Sequence, residues 1–193
     1  MLKSLFKYSL LLLLMVLFYS CGNETPTPKP VGYFRIDLPE PKYQHKSPDC
    51  PFEFDISEYS RLELFVDSEH PCWFNISYPM LNARLYLTYK NVDNNLREFI
   101  EEAHGLAYEH QIKANRIATR QIQNDSSRVY GLIYNLGGNV ASPYQFYLTD
   151  STDHFLRGSF YFNARPNPDS TKPALDYVQN DIDRFIDSFE WKE

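Results

Sequence analysis

Cys21 has the sequence context of a lipid acceptor. It directly follows Ser20, and an unbroken apolar run from Leu10 to Phe18 precedes that serine, with two lysines nearer the amino terminus. A basic segment, an apolar segment and a small residue before the cleavage point are typical of a secretory signal. The run fits the roughly 7–15 residues of such a signal and is shorter than the ~20 residues that span a bilayer. We therefore predict that residues 1–20 are a lipoprotein signal peptide.

The chemistry predicted for Cys21 is attachment of a diacylglycerol to its thiol. Cleavage after Ser20 would free the amino group of Cys21, which would usually receive a fatty acid such as palmitate. Two or more acyl chains anchor a protein stably, whereas a single chain binds a membrane only reversibly. An ordinary cleaved signal peptide and an uncleaved anchor are the alternatives. The predicted location is the cell envelope, with the protein held to the membrane through its N-terminal lipid.

The two remaining cysteines, Cys50 and Cys72, are candidates for a disulfide bond. Each neighbours a proline, and an exported chain matures in a compartment where disulfides persist. By the chain-entropy relation, closing this loop would destabilise the unfolded chain by about 3 kcal/mol. We predict a disulfide between Cys50 and Cys72, with two buried free thiols as the alternative.

The segment from Asp150 to His154 places a serine, two carboxylates and a histidine close together, a combination that a hydrolase could use. A catalytic serine needs an oriented base and an oxyanion hole, and the chain has no Gly-x-Ser-x-Gly element. Asp and Ser side chains that cap a hairpin turn explain the same residues. We predict a turn here, and no catalytic residues.

Metal sites and cofactors have no sequence support. His104 and His110 are six residues apart on a predicted helix and face different sides, unlike the four-residue spacing of a helical metal pair. The sequence also lacks phosphate loops, dinucleotide fingerprints and Asp-x-Asp calcium loops. The formal net charge is −6, or −8 without the two lysines of residues 1–20, and no basic cluster opposes it. Nucleic acid is therefore not an expected partner.

Proline content divides the rest of the chain. Residues 21–31 comprise the lipidated cysteine and a polar, proline-rich tether, and residues 32–193 form a single domain with an N-terminal arm. The arm begins with Tyr33, Phe34 and Arg35, which an idle linker would not need. We predict that these three residues are a possible partner contact and that residues 31–43 pack on the domain as an edge strand or arm.

Hydrophobic periodicity predicts an α+β fold, a mostly antiparallel sheet flanked by two principal helices. Alternation at period two predicts strands over residues 52–56, 61–66, 72–78, 83–89, 128–135, 144–149 and 155–162. Helical spacing predicts one helix from about Asn95 to Gln111 and another from Ala174 to Phe189. Residues 112–122 fit either a helix or a strand, and residues 163–172 are predicted to be a loop.

Several strings of the mature chain resemble the gliding motility lipoprotein GldD family of Bacteroidetes. They are Pro28-Lys29-Pro30 with Gly32 to Pro39, Cys72 to Asn75, Leu106 to Tyr108, Tyr130-Gly131, Gly138 to Ser142, Leu148 to Thr152, His154 to Gly158 and Ser188 to Lys192. Val31 is a departure, since a basic residue is expected there. The resemblance implies a lipoprotein required for gliding, associated with type IX secretion, without known catalytic residues. Its partners would be other proteins of the gliding and secretion machinery.

The order of elements also resembles, in architecture, the sandwich of PsbP and Mog1 proteins, which are assembly or binding modules. We therefore favour a non-enzymatic, protein-binding component of the envelope. The alternative is an envelope hydrolase or carbohydrate-binding lipoprotein that uses the Asp150 to His154 region. Surface-exported lipoproteins of this bacterial group tend to have an acidic run after the cysteine, and only Glu24 lies between Gly22 and Pro28. The domain is thus expected to face the periplasm.

Overall fold

The computed structural model describes residues 32, 35–64, 70 and 72–192. Contacts between Cα atoms divide the chain into one unit of residues 1–34 and another of residues 35–193. Cys21, the tether, Tyr33 and Phe34 lie outside the described residues. Every described helix and strand belongs to the second unit.

The described strands form two antiparallel sheets. The strands are β1 (Tyr43–Lys46), β2 (Phe52–Ser57), β3 (Arg61–Leu64), β4 (Phe74–Tyr78), β5 (Ala83–Asn91), β6 (Ala114–Asn124), β7 (Val129–Gly138), β8 (Tyr144–Thr149), β9 (His154–Phe162) and β10 (Glu190–Trp191). The larger sheet has seven strands in the order β3-β4-β5-β9-β8-β7-β6, and the smaller sheet has the order β1-β2-β10. Two blocks of consecutive hairpins, β3 to β5 and β6 to β9, therefore meet where β9 pairs with β5.

The described part of the chain also contains two α-helices, α1 (Leu96–Tyr108) and α2 (Pro168–Asp187). The loop predicted over residues 163–172 is wrong for residues 168–172, because α2 begins at Pro168 and not at Ala174, whereas residues 163–167 lie outside any helix or strand. The side chain of Asn167 accepts a hydrogen bond from the Ser170 amide, which caps the helix. Proline suits the first helical position because it has no amide hydrogen to leave unpaired there. Pro173 lies inside the helix, and because an interior proline usually ends or kinks a helix, the sequence pattern did not predict a start before it.

The ambiguous segment over residues 112–122 is mostly strand β6. Helix α1 ends at Tyr108, a 3-10 turn follows over Glu109–Ile112, and β6 begins at Ala114. Among the described strands, β6 pairs with β7 alone and lies at the edge of the sheet, where few of its side chains are buried. An edge strand of this kind has no clear period-two pattern, since neither face is fully covered.

The main core lies between one face of the large sheet and a layer made of α2 and the small sheet. Phe52 and Phe54 of β2 pack with Phe74 of β4 and with Phe185 of α2 and Phe189, and all five side chains are fully buried. The ring centroids of Phe54 and Phe185 are 4.7 Å apart. Burying one such side chain contributes about 1.5–3 kcal/mol, so this aromatic cluster joins the helix to both sheets.

The described residues cover the opposite face of the large sheet only in part. Helix α1 packs there on β7, β8 and β9, where Ala107 contacts a small cluster around Tyr134 and Leu136. The Phe99 and Phe155 rings, with centroids 5.4 Å apart, hold the start of the helix on β9. The same face of β3, β4 and much of β5 forms the wall of an open groove instead.

The architecture is therefore α+β, a mostly antiparallel sheet between two helical layers, which confirms the predicted fold class. Within the described part of the chain, neither helix combines the length and the apolar character needed to cross a membrane.

Candidate functional site: a basic groove on the uncovered sheet face

The strand register aligns polar side chains in a row across the uncovered face. From β3 to β7 the paired residues are Glu63, Asn75, Tyr86, Ser159, Gln145 and Tyr134. The neighbouring row pairs Arg61, Ser77, Arg84 and Tyr161. Residues that alternate along strands point to one face, and paired residues lie side by side, so these rows form a continuous polar surface.

This surface is the wall and floor of a groove of about 790 Å³ that is open to solvent. Among the described residues, its lining includes three arginines, Arg61, Arg84 and Arg157, and one carboxylate, Glu63. Glu63 already pairs with Arg84, with an N to O distance of 3.2 Å. The groove is thus locally cationic in a protein whose formal net charge is −6.

Two tyrosines flank the arginines. The rings of Tyr86 and Tyr161 meet edge to face, with centroids 5.6 Å apart, and 41% of Tyr86 is exposed. The Arg84 guanidinium lies 5.9 Å from the centre of the Tyr86 ring. A hydrogen bond to Tyr86, followed by the charge of Glu63, raises the pKa of Arg84, so this arginine stays cationic.

Arg157 lies at the floor of the groove and donates a hydrogen bond of 2.9 Å to the Gln145 side-chain oxygen. Among the described residues, no carboxylate lies within ion-pair distance of its guanidinium. Burial lowers the pKa of Arg157, but a guanidinium remains protonated at neutral pH. The pKa of His110, which lies just beyond α1, is lowered mainly by the burial of its ring and further by the positive charge of Arg157. The floor therefore holds a partly buried cation with no carboxylate in direct contact among the described residues; the charge of Glu102, which pairs with Lys90, acts on Arg157 only from a distance.

The predicted disulfide residues are joined in the structure. Cys50 and Cys72 form a disulfide with a Cα to Cα distance of 5.8 Å, and both are buried. Cys50 lies two residues before β2 of the small sheet, and Cys72 lies two residues before β4 of the large sheet. The bond therefore links the two sheets covalently.

The predicted arm contact is only partly within the described residues. Arg35 is exposed and forms an ion pair of 2.6 Å with Asp37, which is exposed as well. Exposed ion pairs contribute about 0–1 kcal/mol, so this pair leaves the Arg35 side chain accessible at little cost. Residues 35–42 have no regular structure, and the edge strand that we predicted within residues 31–43 begins only at Tyr43.

The Asp150 to His154 segment is a hairpin turn between β8 and β9. One Asp150 oxygen accepts hydrogen bonds from the amides of Thr152, Asp153 and His154, and the other accepts one from the Thr152 hydroxyl. Burial alone would raise the pKa of Asp150, but these hydrogen bonds outweigh it and lower the pKa to about 2. The carboxylate is therefore engaged in holding the turn.

Ser151 and His154 do not form a catalytic pair in the described structure. The Ser151 side chain is exposed at the tip of the turn, where its φ of 73° is left-handed. The His154 ring instead contacts the Tyr89 hydroxyl at 2.7 Å and stacks on Trp191 at 5.0 Å. No hydrogen bond joins Ser151 to His154 among the described residues.

The two helical histidines are also separate. His104 contacts the Tyr134 hydroxyl at 3.3 Å and stacks on Tyr108, whereas His110 lies in the 3-10 turn after α1. In the described part of the chain, no group of three or more His, Cys, Asp or Glu side chains could hold a metal ion.

Sequence reasoning missed the groove residues. Arg84 and Tyr86 of β5 and Arg157, Ser159 and Tyr161 of β9 alternate with apolar residues, and that pattern usually marks a solvent face. An excess of arginine and tyrosine at these alternate positions was the available signal. Only the pairing of β5 with β9 brings the two sets together.

Comparison with known proteins identifies a family. A family profile described as gliding motility lipoprotein GldD matches residues 23–191. A search of curated proteins finds no match. Among solved structures, the solution structure of cyanobacterial PsbP (CyanoP) from Synechocystis sp. PCC 6803 is similar, with 11% sequence identity and a TM-score of 0.46, over 82% of this chain and 97% of that chain.

The family match spans both sheets and both helices, from before β1 to the end of β10. It agrees with the resemblance seen in the sequence strings. The chain therefore belongs to the gliding motility lipoprotein GldD family, whose members are gliding-associated lipoproteins of the cell envelope.

Proposed function

We propose that this protein is a lipid-anchored, periplasm-facing component required for gliding motility and for the associated type IX protein secretion. It acts by binding other proteins of the gliding and secretion machinery and not by catalysis. Family membership supports the association with gliding. The context of Cys21 supports the lipid anchor.

The observation that best supports binding is the open groove lined by three arginines and by Tyr86 and Tyr161. Arginine and tyrosine are enriched in protein interfaces, where they often dominate the binding energy. The residues of the hydrolase alternative support catalysis less well. Asp150 holds a turn, and His154 contacts Tyr89 and not Ser151.

The proposal is tested by deletion and complementation in the source bacterium. Deletion should abolish colony spreading and lower the amount of type IX cargo in the medium, and the wild-type gene should restore both. Ser151→Ala should restore both nearly fully, because this exposed side chain contacts no catalytic partner. His154→Ala should do so too, but its thermal stability must be measured, since the ring packs on Trp191.

A deletion strain that glides and secretes normally would contradict the proposal. A stable, well-expressed Ser151→Ala protein without activity would support the hydrolase alternative instead. Loss of a triad member typically lowers the catalytic rate by orders of magnitude, so the two outcomes are easily separated.

A further inference from the structure

A buried hydroxyl that lines the groove, Ser159, and a buried amide on the neighbouring strand, Gln145, each have a polar atom without a hydrogen-bond partner among the described residues. Ser159 is 3% exposed and Gln145 is 2% exposed, and the two residues are directly paired across β9 and β8. The Ser159 hydroxyl oxygen and the Gln145 side-chain nitrogen form no hydrogen bond within the described residues. Buried polar groups are nearly always satisfied by protein or by ordered water, so these two atoms are unsatisfied donors that a polar group from outside the described residues would complete.

The chemistry of that group follows from the orientation of the Gln145 amide. Arg157 can only donate, so the Gln145 atom that faces it at 2.9 Å has to be the oxygen. The unpartnered atom is then the NH2 group, which is a donor. Ser159 offers a hydroxyl donor beside it, and the remaining Arg157 N–H groups are donors too. The free Arg157 N–H groups carry a positive charge, the Gln145 NH2 group is a donor, and the Ser159 hydroxyl can donate, so together these groups suit an acceptor with negative charge.

We propose that the groove over β3, β4, β5 and β9 binds an acidic peptide segment of a partner protein, with one carboxylate of that segment held by Arg157 and Ser159 and with Gln145 behind them positioning Arg157. This inference rests on the proposed protein-binding function and names its surface and the chemistry of its partner. Arg61, which forms no ion pair within the described residues, receives a further carboxylate along the segment, and Arg84, already paired with Glu63, adds positive charge beside it.

A peptide suits the groove better than a free anion for two reasons. The lining crosses four strands, or about 14 Å at ~4.8 Å between strands, which is the length of a short extended peptide. The exposed Tyr86 ring beside Tyr161 offers an apolar surface that a bare anion would not use.

The test in solution uses the purified mature protein and a fluorescent peptide of alternating glutamate and tyrosine. A matched peptide with glutamine in place of glutamate controls for the tyrosines. We expect the glutamate peptide to bind at least about tenfold more tightly, and its affinity to fall as salt is added. Inorganic phosphate and an oligomer of galacturonate are the competing probes. Tighter binding of either one than of the peptide, or equal binding of both peptides, would overturn the inference.

Two variants locate the binding site. Arg157→Gln should weaken binding of the glutamate peptide by about tenfold or more, because a partly buried charge-assisted contact is lost. Its matched control is Arg116→Gln, the same change at an exposed position of β6 outside the groove, which should leave binding unchanged. An equal loss in both variants would mean a general charge effect and would overturn the proposed site.

Ser159→Ala separates binding from folding. This hydroxyl has no hydrogen-bond partner among the described residues, so removing it should keep or raise the melting temperature of the free protein. The same change should weaken peptide binding several-fold. A destabilised Ser159→Ala protein with unchanged affinity would show that the hydroxyl has a structural role only, and would overturn its place in the site.

The same variants in the bacterium distinguish this inference from the proposed function. Arg157→Gln should reduce colony spreading at normal protein levels, whereas Arg116→Gln should not. If deletion abolishes gliding but a stable Arg157→Gln protein restores it fully, the groove is not the partner surface and the proposed function stands. If deletion has no effect, the proposed function fails first, and the peptide titration alone then decides whether the groove binds carboxylates.

Discussion

At the scale of single residues, Asp181 on α2 is a buried carboxylate that works against stability at neutral pH. It is 2% exposed, and neither of its oxygens has a hydrogen bond of ordinary geometry in the described residues. Burial raises its pKa to about 6, although the nearby hydroxyls of Tyr43 and Ser57 act in the opposite direction. The ionised form is therefore disfavoured in the folded protein.

We predict that Asp181→Asn stabilises the protein at pH 7.5 by up to about 3 kcal/mol, which is about two pKa units at 1.36 kcal/mol each. Since the folded-state pKa lies above the unfolded value, protonation stabilises the wild type as the pH falls through 6. The advantage of the variant should thus shrink toward pH 4. The difference in free energy of unfolding between Asp181→Asn and wild type is measured by urea unfolding, followed by tryptophan fluorescence, from pH 7.5 to pH 4. Asp187→Asn, an exposed change near the end of the same helix, is the control.

A pH-independent difference between Asp181→Asn and wild type would contradict this explanation. It would mean that the aspartate acts through packing and not through its charge. A parallel response of the Asp187→Asn control would assign the effect to net charge instead.

At the scale of elements, β7 and β8 approach each other closely at Gly131. A Cβ atom placed there would lie 1.9 Å from the carbonyl oxygen of Tyr147, a backbone atom that cannot rotate away. Gly105, in the middle of α1, is exposed and has no atom within 4 Å of the corresponding position. The same substitution should therefore have opposite effects at the two sites.

We predict that Gly131→Ala lowers the free energy of unfolding by about 3 kcal/mol or more, because the two strands must separate. Gly105→Ala should raise it by about 0.5–1 kcal/mol, since alanine favours the helix. Thermal unfolding of both variants beside the wild type tests the pair. Equal stability of Gly131→Ala and wild type would show that the β7 and β8 backbones are farther apart than described.

The Cys50–Cys72 bond is the covalent link between the sheets. Mass spectrometry of unreduced protein should find both cysteines in one linked peptide pair. Replacing both by serine should lower the free energy of unfolding by about 3 kcal/mol, because the unfolded chain regains loop entropy. Free thiols in native protein that react with an alkylating agent only after unfolding would instead support the buried-thiol alternative.

At the scale of the whole molecule, the anchor determines where the domain can act. We predict that Cys21→Ser blocks signal processing and lipid attachment, because the thiol is the lipid acceptor. Incorporation of labelled palmitate, measured in cells that express either form, tests this. Labelling of the Cys21→Ser protein as strong as that of the wild type would contradict it.

The orientation of the anchored domain is a separate prediction. Because the residues after Cys21 lack an acidic run, protease added to intact cells should leave the protein undigested, and digestion should follow only when the outer membrane is permeabilised. Digestion in intact cells would place the domain on the cell surface.

The sequence alone determined those features that depend on local order along the chain. The apolar run before Cys21 predicts lipidation, period-two alternation predicted most strands, and helical spacing predicted α1 and the greater part of α2. These signals are short-range, since each depends on residues that are neighbours in the chain. Where a local signal was mixed, as at Pro173 in α2 or along the half-covered strand β6, the prediction was wrong or undecided.

Only the tertiary structure decided which distant residues meet. Ser159 and Gln145 look like ordinary residues of two half-polar strands, and only their pairing, with α1 placed to one side, leaves them buried and unpartnered beside Arg157. Asp181 likewise looks like a solvent-facing helix residue until α2 packs on β2. Burial and register depend on how β5 pairs with β9 across some seventy residues of chain, and no local pattern encodes that pairing.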